Sequence, residues 1–252
     1  MKPRGRMQTI RKSLRAMSST PPSEWYERWK RRSRTLQVQR DYRTAKADYS
    51  EDELIIGGHE VMQDWERPLM RALAEEAARS KGHVLEVGFG MGISATYLIE
   101  AGCSRYTVIE PHPAVLAEFG QWAADQPVPV EAIEGFWEDV IDGLGTFDGI
   151  LFDTYPTVPS KEDASSPTDT APSPEGDHRV YLPFIPKASE HLNPGGVFTF
   201  FTSYAEALPR EHMDRLNRYF SEVRTYHVDG LNPPETCEYW QESKMVVPVC
   251  VK

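Results

Sequence analysis

The sequence has few cysteines and no long apolar run, and both features narrow the classes of protein it can encode. Its 252 residues include three scattered cysteines, Cys103, Cys237 and Cys250, without a C-x-x-C pair. This argues against a disulfide framework and against a cysteine-ligated zinc site. Since no run of about 18 consecutive apolar residues occurs, no membrane-spanning helix and no membrane partner are expected. The simplest expected location is the cytoplasm.

Motifs that identify several enzyme classes are also missing. The seven histidines show no H-E-x-x-H or comparable spacing, so no metal site is predicted. Neither a G-x-S-x-G elbow nor a G-x-x-x-x-G-K-[ST] loop is present. Serine hydrolase and P-loop nucleotide hydrolase activities are therefore unsupported.

Charge is divided between a basic N-terminal part and an acidic remainder. Residues 1–45 contain 13 Lys and Arg against 3 Asp and Glu, and the remaining 207 residues contain 15 against 35. An acidic body disfavours nucleic-acid binding, so no nucleic-acid partner is expected. The favoured interpretation of residues 1–40 is a solvated, partly disordered leader. A basic segment could also bind nucleic acid, a membrane surface or the body of the protein.

Strand and helix patterns alternate through residues 41–252, which we interpret as one domain. Apolar runs predict seven strands, at 83–87, 106–110, 128–133, 147–153, 197–201, 222–228 and 244–251. Helical spacing predicts helices between most of them. This order predicts an α/β fold with a doubly wound, mostly parallel seven-stranded sheet and an N-terminal helical segment. The last two strands lack an intervening helix, which predicts an antiparallel edge strand.

Two less regular regions complete this prediction. Upstream of the first strand, apolar residues from Val61 to Ala77 recur at helical spacing and predict one continuous helix. Residues 157–177 are rich in Pro, Ser, Thr, Asp and Glu. We interpret them as an exposed insertion.

A glycine-rich turn follows the first predicted strand. Gly88, Gly90 and Gly92 form a G-x-G-x-G pattern, with Glu86 two residues upstream. Dinucleotide sites use G-x-G-x-x-G instead. The pattern here suits a ligand that carries an amino acid and a sulfonium. Glu86 could support the loop or bind the ammonium of the ligand, and a purely structural turn is the alternative.

The next two strands also end in residues suited to such a ligand. Glu110 ends the second strand, where an acid can accept hydrogen bonds from ribose hydroxyls. An exposed strand-end acid is the alternative. After the third strand, Phe136 or Trp137 could cover an adenine ring. Trp137 could equally belong to the core.

Asp153 and Glu66 are the candidate catalytic carboxylates. Asp153 ends the fourth strand, where it could bind an N–H donor and take its proton; a helix cap or a solvated acid is the alternative. Glu66 lies four residues from both Met62 and Met70, so on a continuous helix the three share one stripe. Pro68 could interrupt that helix, and a surface glutamate is the alternative.

Several segments, taken in order, resemble guanidinoacetate N-methyltransferases. They are VLEVGFGMGIS, GFWEDV, FDGILFDTYP and LNPGGVFTFF, with VMQDWERPLM upstream and Pro-Pro-x-x-Cys-x-Tyr downstream. The resemblance implies a Rossmann-like class I methyltransferase fold. It also implies S-adenosylmethionine as the methyl donor and S-adenosylhomocysteine as the product. Related enzymes methylate free L-arginine or an arginine side chain in a protein.

The resemblance also implies roles for individual residues. It places the methyl donor against Tyr42, Met62, Met70, Glu86, Gly88, Phe89, Gly90, Gly92, Ile93, Ser94, Glu110, Pro111, Phe136, Trp137 and Asp153. It assigns guanidine binding to Glu66 and Asp153. Thr202 and Ser203 fall near the acid end of the substrate, where this chain is one residue shorter than the family pattern. Tyr155 and His178, at the two ends of the insertion, are further substrate-binding candidates by position, although a surface role is the favoured interpretation of His178.

The favoured function is N-methylation of the guanidino group of free L-arginine. Guanidinoacetate comes second, because residues 202–204 and the insertion depart from the family pattern. Methylation of protein arginine, with recruitment through the basic leader or the insertion, is a further hypothesis. A non-catalytic cofactor-binding protein and an NAD-dependent oxidoreductase are the remaining alternatives. Both a monomer and a homodimer are compatible with the sequence.

Overall fold

The computed structural model describes residues 36–154 and 180–252. The predicted insertion at 157–177, the substrate candidates Tyr155 and His178, and most of the predicted leader lie outside these ranges. The part of the leader that is described, residues 36–40, belongs to a helix.

Ten strands are present in the described chain. They are β1 (Ala47–Tyr49), β2 (Glu53–Ile56), β3 (His59–Gln63), β4 (His83–Val87), β5 (Arg105–Glu110), β6 (Val130–Glu134), β7 (Phe147–Phe152), β8 (Leu192–Phe200), β9 (Glu222–Asp229) and β10 (Lys244–Val251). The first three form a small antiparallel sheet. The other seven form a second sheet in the order β6-β5-β4-β7-β8-β10-β9.

The predicted fold class is confirmed. Strands β4 to β8 pair in parallel, and β10 runs antiparallel to both β8 and β9. The antiparallel strand is therefore internal, and the prediction of an antiparallel edge strand is wrong. The edge is β9, whose burial alternates along the strand. Its polar, half-exposed side chains suit an edge, whereas β10 is apolar and almost wholly buried.

Helices cover both faces of the large sheet. They are α1 (residues 36–44), α2 (Arg67–Ala77), α3 (Ile93–Glu100), α4 (Pro113–Ala123), α5 (Trp137–Val140), α6 (Ile185–His191) and α7 (Arg210–Leu216). The apolar stripe of α2 is buried against α3 and against β7, β8 and β10. On the opposite face, aromatic residues such as Phe184 and Phe198 fill a second core. None of the helices in the described ranges is long and apolar enough to cross a membrane.

The predicted helix through Val61 is wrong in its first half. Residues 53–63 form a β2–β3 hairpin, and its Gly57-Gly58 turn has positive φ angles of 62° and 84°. A short 3-10 helix, Asp64–Glu66, then leads into α2, with Pro68 in the first turn. Proline is favoured there because that position needs no N–H donor. Met62 and Met70 consequently lie on different elements rather than on one helical stripe.

The strand order places three chain segments at one edge of the sheet. Strand β4 lies between β5 and β7, and all three are parallel. Gly88, Glu110 and Asp153 therefore stand at neighbouring strand ends. The backbone N–H of Gly88 donates to Ile109 O at 2.9 Å, and that of Asp153 donates to Val87 O at 3.0 Å. This edge is where ligands bind in open α/β sheets.

Candidate active site

The glycine-rich loop after β4 is shaped by backbone conformations that favour glycine. Gly88, Gly90 and Gly92 have φ angles of 92°, 54° and 70°. A Cβ atom on Gly88 would lie 2.0 Å from Asp153 O, and one on Gly90 would lie 2.9 Å from Met62 Sδ. The loop is therefore a tightly packed backbone cradle that larger residues would disrupt.

Glu110 holds this loop from the end of β5. Its two carboxylate oxygens accept hydrogen bonds from the backbone N–H of Phe89 at 3.0 Å and of His112 at 2.8 Å. Burial raises the pKa of the Glu110 carboxyl to about 7. Glu110 also lines the cleft beside the loop, so it is placed both to shape the loop and to meet a ligand.

The cleft is bounded by the N-terminal segment on one side and by the strand ends on the other. It is lined by Tyr42, Leu54, Val61, Met62, Gly88, Gly90, Glu110, Val115, Asp153 and Thr154. Six of these residues were predicted to contact the cofactor. The fold thus brings together candidates from the N-terminal segment and from three neighbouring strand ends.

Two other predicted cofactor residues, Met70 and Trp137, pack against the cores of the protein rather than line the cleft. Met70 is fully buried in the core. The ring of Trp137 packs against Phe184 with centroids 5.1 Å apart. Phe136 lies on the cleft side, where its ring centroid is 6.4 Å from that of Tyr42. Of the two aromatic candidates for covering adenine, Phe136 therefore has the more suitable position.

The remaining predicted cofactor residues surround the glycine loop. Glu86 is fully buried and accepts a hydrogen bond from the hydroxyl of Tyr106. Burial raises the pKa of the Glu86 carboxyl to about 8. This position favours support of the loop over contact with the ammonium of a ligand. Phe89, Ile93, Ser94 and Pro111 are buried around the same loop.

Glu66 is held by two donors at the junction of the 3-10 helix and α2. Its Oε1 atom accepts the backbone N–H of Gln63 at 2.8 Å and the hydroxyl of Tyr239 at 2.6 Å. Only 2% of the residue is exposed. Burial, with the neighbouring charge of Asp153, raises the pKa of the Glu66 carboxyl to about 8.

Asp153 follows β7 and lines the cleft. Burial raises the pKa of its carboxyl to about 7. Its charge also contributes to the raised pKa of Glu66, so the two carboxyls are electrostatic neighbours. A pair of carboxyls that resist ionisation together is a site for a cation, because a cation stabilises both charged forms.

The predicted site for the acid end of the substrate is only partly available. The Thr202 hydroxyl donates to Val246 O at 2.9 Å, and the residue is almost completely buried. Its side chain is therefore committed to the sheet. Ser203 is half-buried and has a φ angle of 51°, which is uncommon for a residue other than glycine.

Two residues that the sequence did not single out tie the N-terminal segment to the cleft. His112 Nδ1 accepts the backbone N–H of Ala114 at 3.2 Å, which leaves Nε2 to donate to Ala45 O at 3.1 Å. The Tyr49 hydroxyl donates to Gly90 O at 3.2 Å. His112 could have been found as the cap before Pro113, but its contact with Ala45 has no local signal.

One surface group in the described chain has ligands suitable for a metal ion, away from the cleft. It consists of Asp142, Glu190 and His191. The ammonium of Lys187 already pairs with Asp142 at 2.6 Å and with Glu190 at 2.8 Å. These acids therefore have a cationic partner within the protein.

Comparison with known proteins links this geometry to a family. A family model described as guanidinoacetate N-methyltransferase matches residues 33–252. Protein arginine N-methyltransferase 2 of Candida glabrata is 34% identical over 125 residues, which cover 45% of this chain and 30% of that protein. The Yarrowia lipolytica protein of the same name is 35% identical over 178 residues, which cover 65% and 33%. The matched part of the chain thus spans about a third of these relatives.

A solved structure supports the fold. Spermidine synthase from Thermotoga maritima aligns with a TM-score of 0.51 and 11% sequence identity, covering 82% of this chain and 72% of that one. At this identity the likeness concerns the architecture alone.

We expect Gly88→Ala to weaken S-adenosylhomocysteine binding by at least about tenfold, because the added methyl group would displace the loop from Asp153. Isothermal titration calorimetry measures this change. Gly143→Ala is the matched control, since a Cβ atom there meets nothing within 4 Å. If Gly88→Ala and Gly143→Ala bound S-adenosylhomocysteine with equal affinity, the role of the glycine-rich loop as a backbone cradle for the ligand would be contradicted.

Proposed function

We propose, from the premise that the chain belongs to the guanidinoacetate N-methyltransferase family, that it methylates the guanidino group of an arginine within a polypeptide. The observation that carries the proposal is a pair of neighbouring carboxyls: Asp153 lines the cleft beside the glycine-rich loop, and its charge raises the pKa of Glu66. A guanidinium is the cationic, planar group that such a pair binds best.

Family membership confirms the predicted enzyme class, an N-methyltransferase, and the predicted methyl donor, S-adenosylmethionine. The residues present fit this donor. Gly88 and Gly90 give the close backbone approach that a bound ligand needs, and Glu110 lines the same cleft. Tyr42, Met62 and Phe136 would hold the donor from the N-terminal side and from the end of β6. When bound, the donor supplies an electrophilic methyl group on a sulfonium.

Glu66 and Asp153 would orient the guanidinium for attack. A guanidinium nitrogen is a poor nucleophile because its lone pair is delocalised. Charged hydrogen bonds from its N–H groups to Glu66 would keep positive charge on the nitrogens that do not react. This fixes one nitrogen towards the cleft, and positioning of this kind supplies much of the rate enhancement in such reactions.

Asp153 would act as the proton acceptor. As the new C–N bond forms and the S–C bond to the methyl group breaks, leaving S-adenosylhomocysteine, the reacting nitrogen would lose one proton to the Asp153 carboxylate, and the product would remain a methylguanidinium cation. The pKa of Asp153, raised by burial to about 7, suits a base that works near neutral pH. Glu66 keeps its negative charge throughout and stabilises the cation.

A polypeptide substrate is supported by the relatives and by the lining of the cleft. The curated relatives are named protein arginine N-methyltransferase 2. Among the described residues that line the cleft there is no Lys or Arg to receive a free carboxylate. An arginine inside a peptide has an amide there instead, and so needs no such partner.

A neighbouring acidic cavity gives further support. Its volume is about 670 Å³, and its lining includes Gln63 and three acids, Asp52, Glu53 and Asp64, with one cation, Arg67, which pairs with Asp64. Gln63 also donates its backbone N–H to Glu66, so this cavity adjoins the proposed guanidinium site. Acidic walls suit basic residues that flank a target arginine in a peptide.

Free L-arginine, which the sequence pattern placed first, is the second candidate. Ser203 is half-buried in the loop after β8, where the family resemblance places the acid end of the substrate. Guanidinoacetate ranks below both arginine substrates, because residues 202–204 and the insertion depart from the guanidinoacetate N-methyltransferase pattern.

A methyl-transfer assay with labelled S-adenosylmethionine tests this order. We expect label on an arginine peptide and on N-acetyl-L-arginine amide, with less on free L-arginine, identified by mass spectrometry. The blocked amide and the free amino acid share a side chain and differ only in their end groups. Label on free L-arginine alone would identify the second candidate. Label on guanidinoacetate alone, or on no substrate, would overturn the proposal.

Asp153→Asn and Glu66→Gln should each lower kcat by about 100-fold or more, because each removes one proposed guanidinium ligand. Steady-state kinetics with the arginine peptide measure the loss. Asp142→Asn is the control, since Asp142 pairs with Lys187 away from the cleft. Near-normal turnover of either cleft variant would contradict the mechanism.

Unfolding should not explain these losses. An acid whose pKa is raised on folding destabilises the protein as the pH rises from its unfolded pKa to its folded pKa. For Glu66 this interval runs from 4.5 to about 8. The neutral Gln side chain avoids that cost, so Glu66→Gln should unfold no more easily than the wild-type protein at pH 8.

A further inference from the structure

We propose that Tyr239 is a positioning residue that fixes the Glu66 carboxylate for guanidinium binding; this inference rests on the proposed function. Tyr239 lies 173 positions from Glu66 in the sequence, and its hydroxyl donates to Glu66 Oε1 at 2.6 Å. The backbone N–H of Gln63 donates to the same oxygen at 2.8 Å. With both donors on Oε1, the other oxygen, Oε2, is left to serve the guanidinium.

The ring of Tyr239 is held in place by Trp65. Their ring centroids are 5.8 Å apart. The indole N–H of Trp65 in turn donates to Gln63 Oε1 at 2.8 Å. Gln63, Trp65, Glu66 and Tyr239 thus form a closed set of contacts, in which a shift of one side chain disturbs the others.

The segment that carries Tyr239 is anchored to the hairpin. The backbone N–H of Glu238 donates to the carboxylate of Glu60 on β3 at 2.7 Å. The backbone N–H of Cys237 closes a turn on Pro234 O at 2.9 Å. These bonds connect the chain between β9 and β10 to the small N-terminal sheet. The backbone that carries Tyr239 is therefore anchored where the tyrosine hydroxyl contacts Glu66.

The charge state of Glu66 depends on this contact. Burial and the charge of Glu66 raise the pKa of the Tyr239 hydroxyl well above its ordinary value, so it remains a donor at neutral pH. The hydrogen bond from Tyr239 lowers the pKa of Glu66, whereas burial and Asp153 raise it. Tyr239 thus favours the ionised form of Glu66, which a guanidinium requires.

A titration of the carboxyl tests this role without relying on catalysis. In the full chain labelled with ¹³C at the glutamate carboxyls, the Glu66 resonance is assigned by its loss in Glu66→Gln. Tyr239→Phe keeps the ring against Trp65 and removes only the hydroxyl. We expect it to raise the pKa of Glu66 by about one unit. Tyr219→Phe, at a 40% exposed tyrosine, is the control and should change nothing.

The pH dependence of kcat/KM provides a second measurement, because the fall of kcat/KM at acid pH reports the pKa values of groups in the free enzyme. In Tyr239→Phe the pKa of this acid limb should also rise by about one unit. The affinity for S-adenosylhomocysteine should not change. An unchanged pKa of Glu66 in Tyr239→Phe would overturn the inference. Absence of methyl transfer by the wild-type protein would instead count against the proposed function, and the titration would still report on the contact.

Discussion

Three buried carboxyls and one half-buried carboxyl lie around one edge of the large sheet, and the organisation of the site follows from their desolvation. Glu66, Glu86, Glu110 and Asp153 all have raised pKa values, and desolvation is the largest cause for each. Burying a carboxylate is costly unless donors or a cation compensate it. Glu110 accepts two backbone N–H groups, and one oxygen of Glu86 accepts the Tyr106 hydroxyl. Glu66 accepts two donors on Oε1, but the charge of the neighbouring Asp153 still raises its pKa, and a cation from outside would offset that repulsion.

This division separates the two tasks of the site. The inner pair of acids, Glu86 and Glu110, supports the glycine-rich loop. The loop's backbone, rather than its side chains, would approach the bound ligand. In the proposed function, the outer pair binds the substrate. Each outer acid belongs to a different structural unit: Glu66 to the junction after the hairpin, and Asp153 to the end of β7. Under this proposal the N-terminal sheet contributes to the catalytic geometry, and Tyr239 adds a third unit from the region between β9 and β10.

The sequence predicted the features that depend on local patterns. The strand, acid, glycine loop and helix at 83–100 are contiguous, so their spacing alone was sufficient. The hairpin was missed because Val61, Trp65 and Leu69 happen to fall at helical spacing, although Gly57-Gly58 carried a turn signal. The family resemblance placed Met70 near the cofactor, and the structure buries its side chain in the core. The contacts of Tyr239 with Glu66 and of His112 with Ala45 join distant residues, and no local pattern encodes them.

The central claim is that the Glu66–Asp153 pair binds a guanidinium through its ionised form, and the most direct measurement is proton release on binding. Calorimetry of N-acetyl-L-arginine amide binding to the protein with S-adenosylhomocysteine, in buffers of different ionisation enthalpy, measures it. With carboxyl pKa values of about 7 and about 8, roughly one proton should be released per ligand near pH 7.5, and less in Glu66→Gln. Binding heats that do not depend on the buffer would contradict the account.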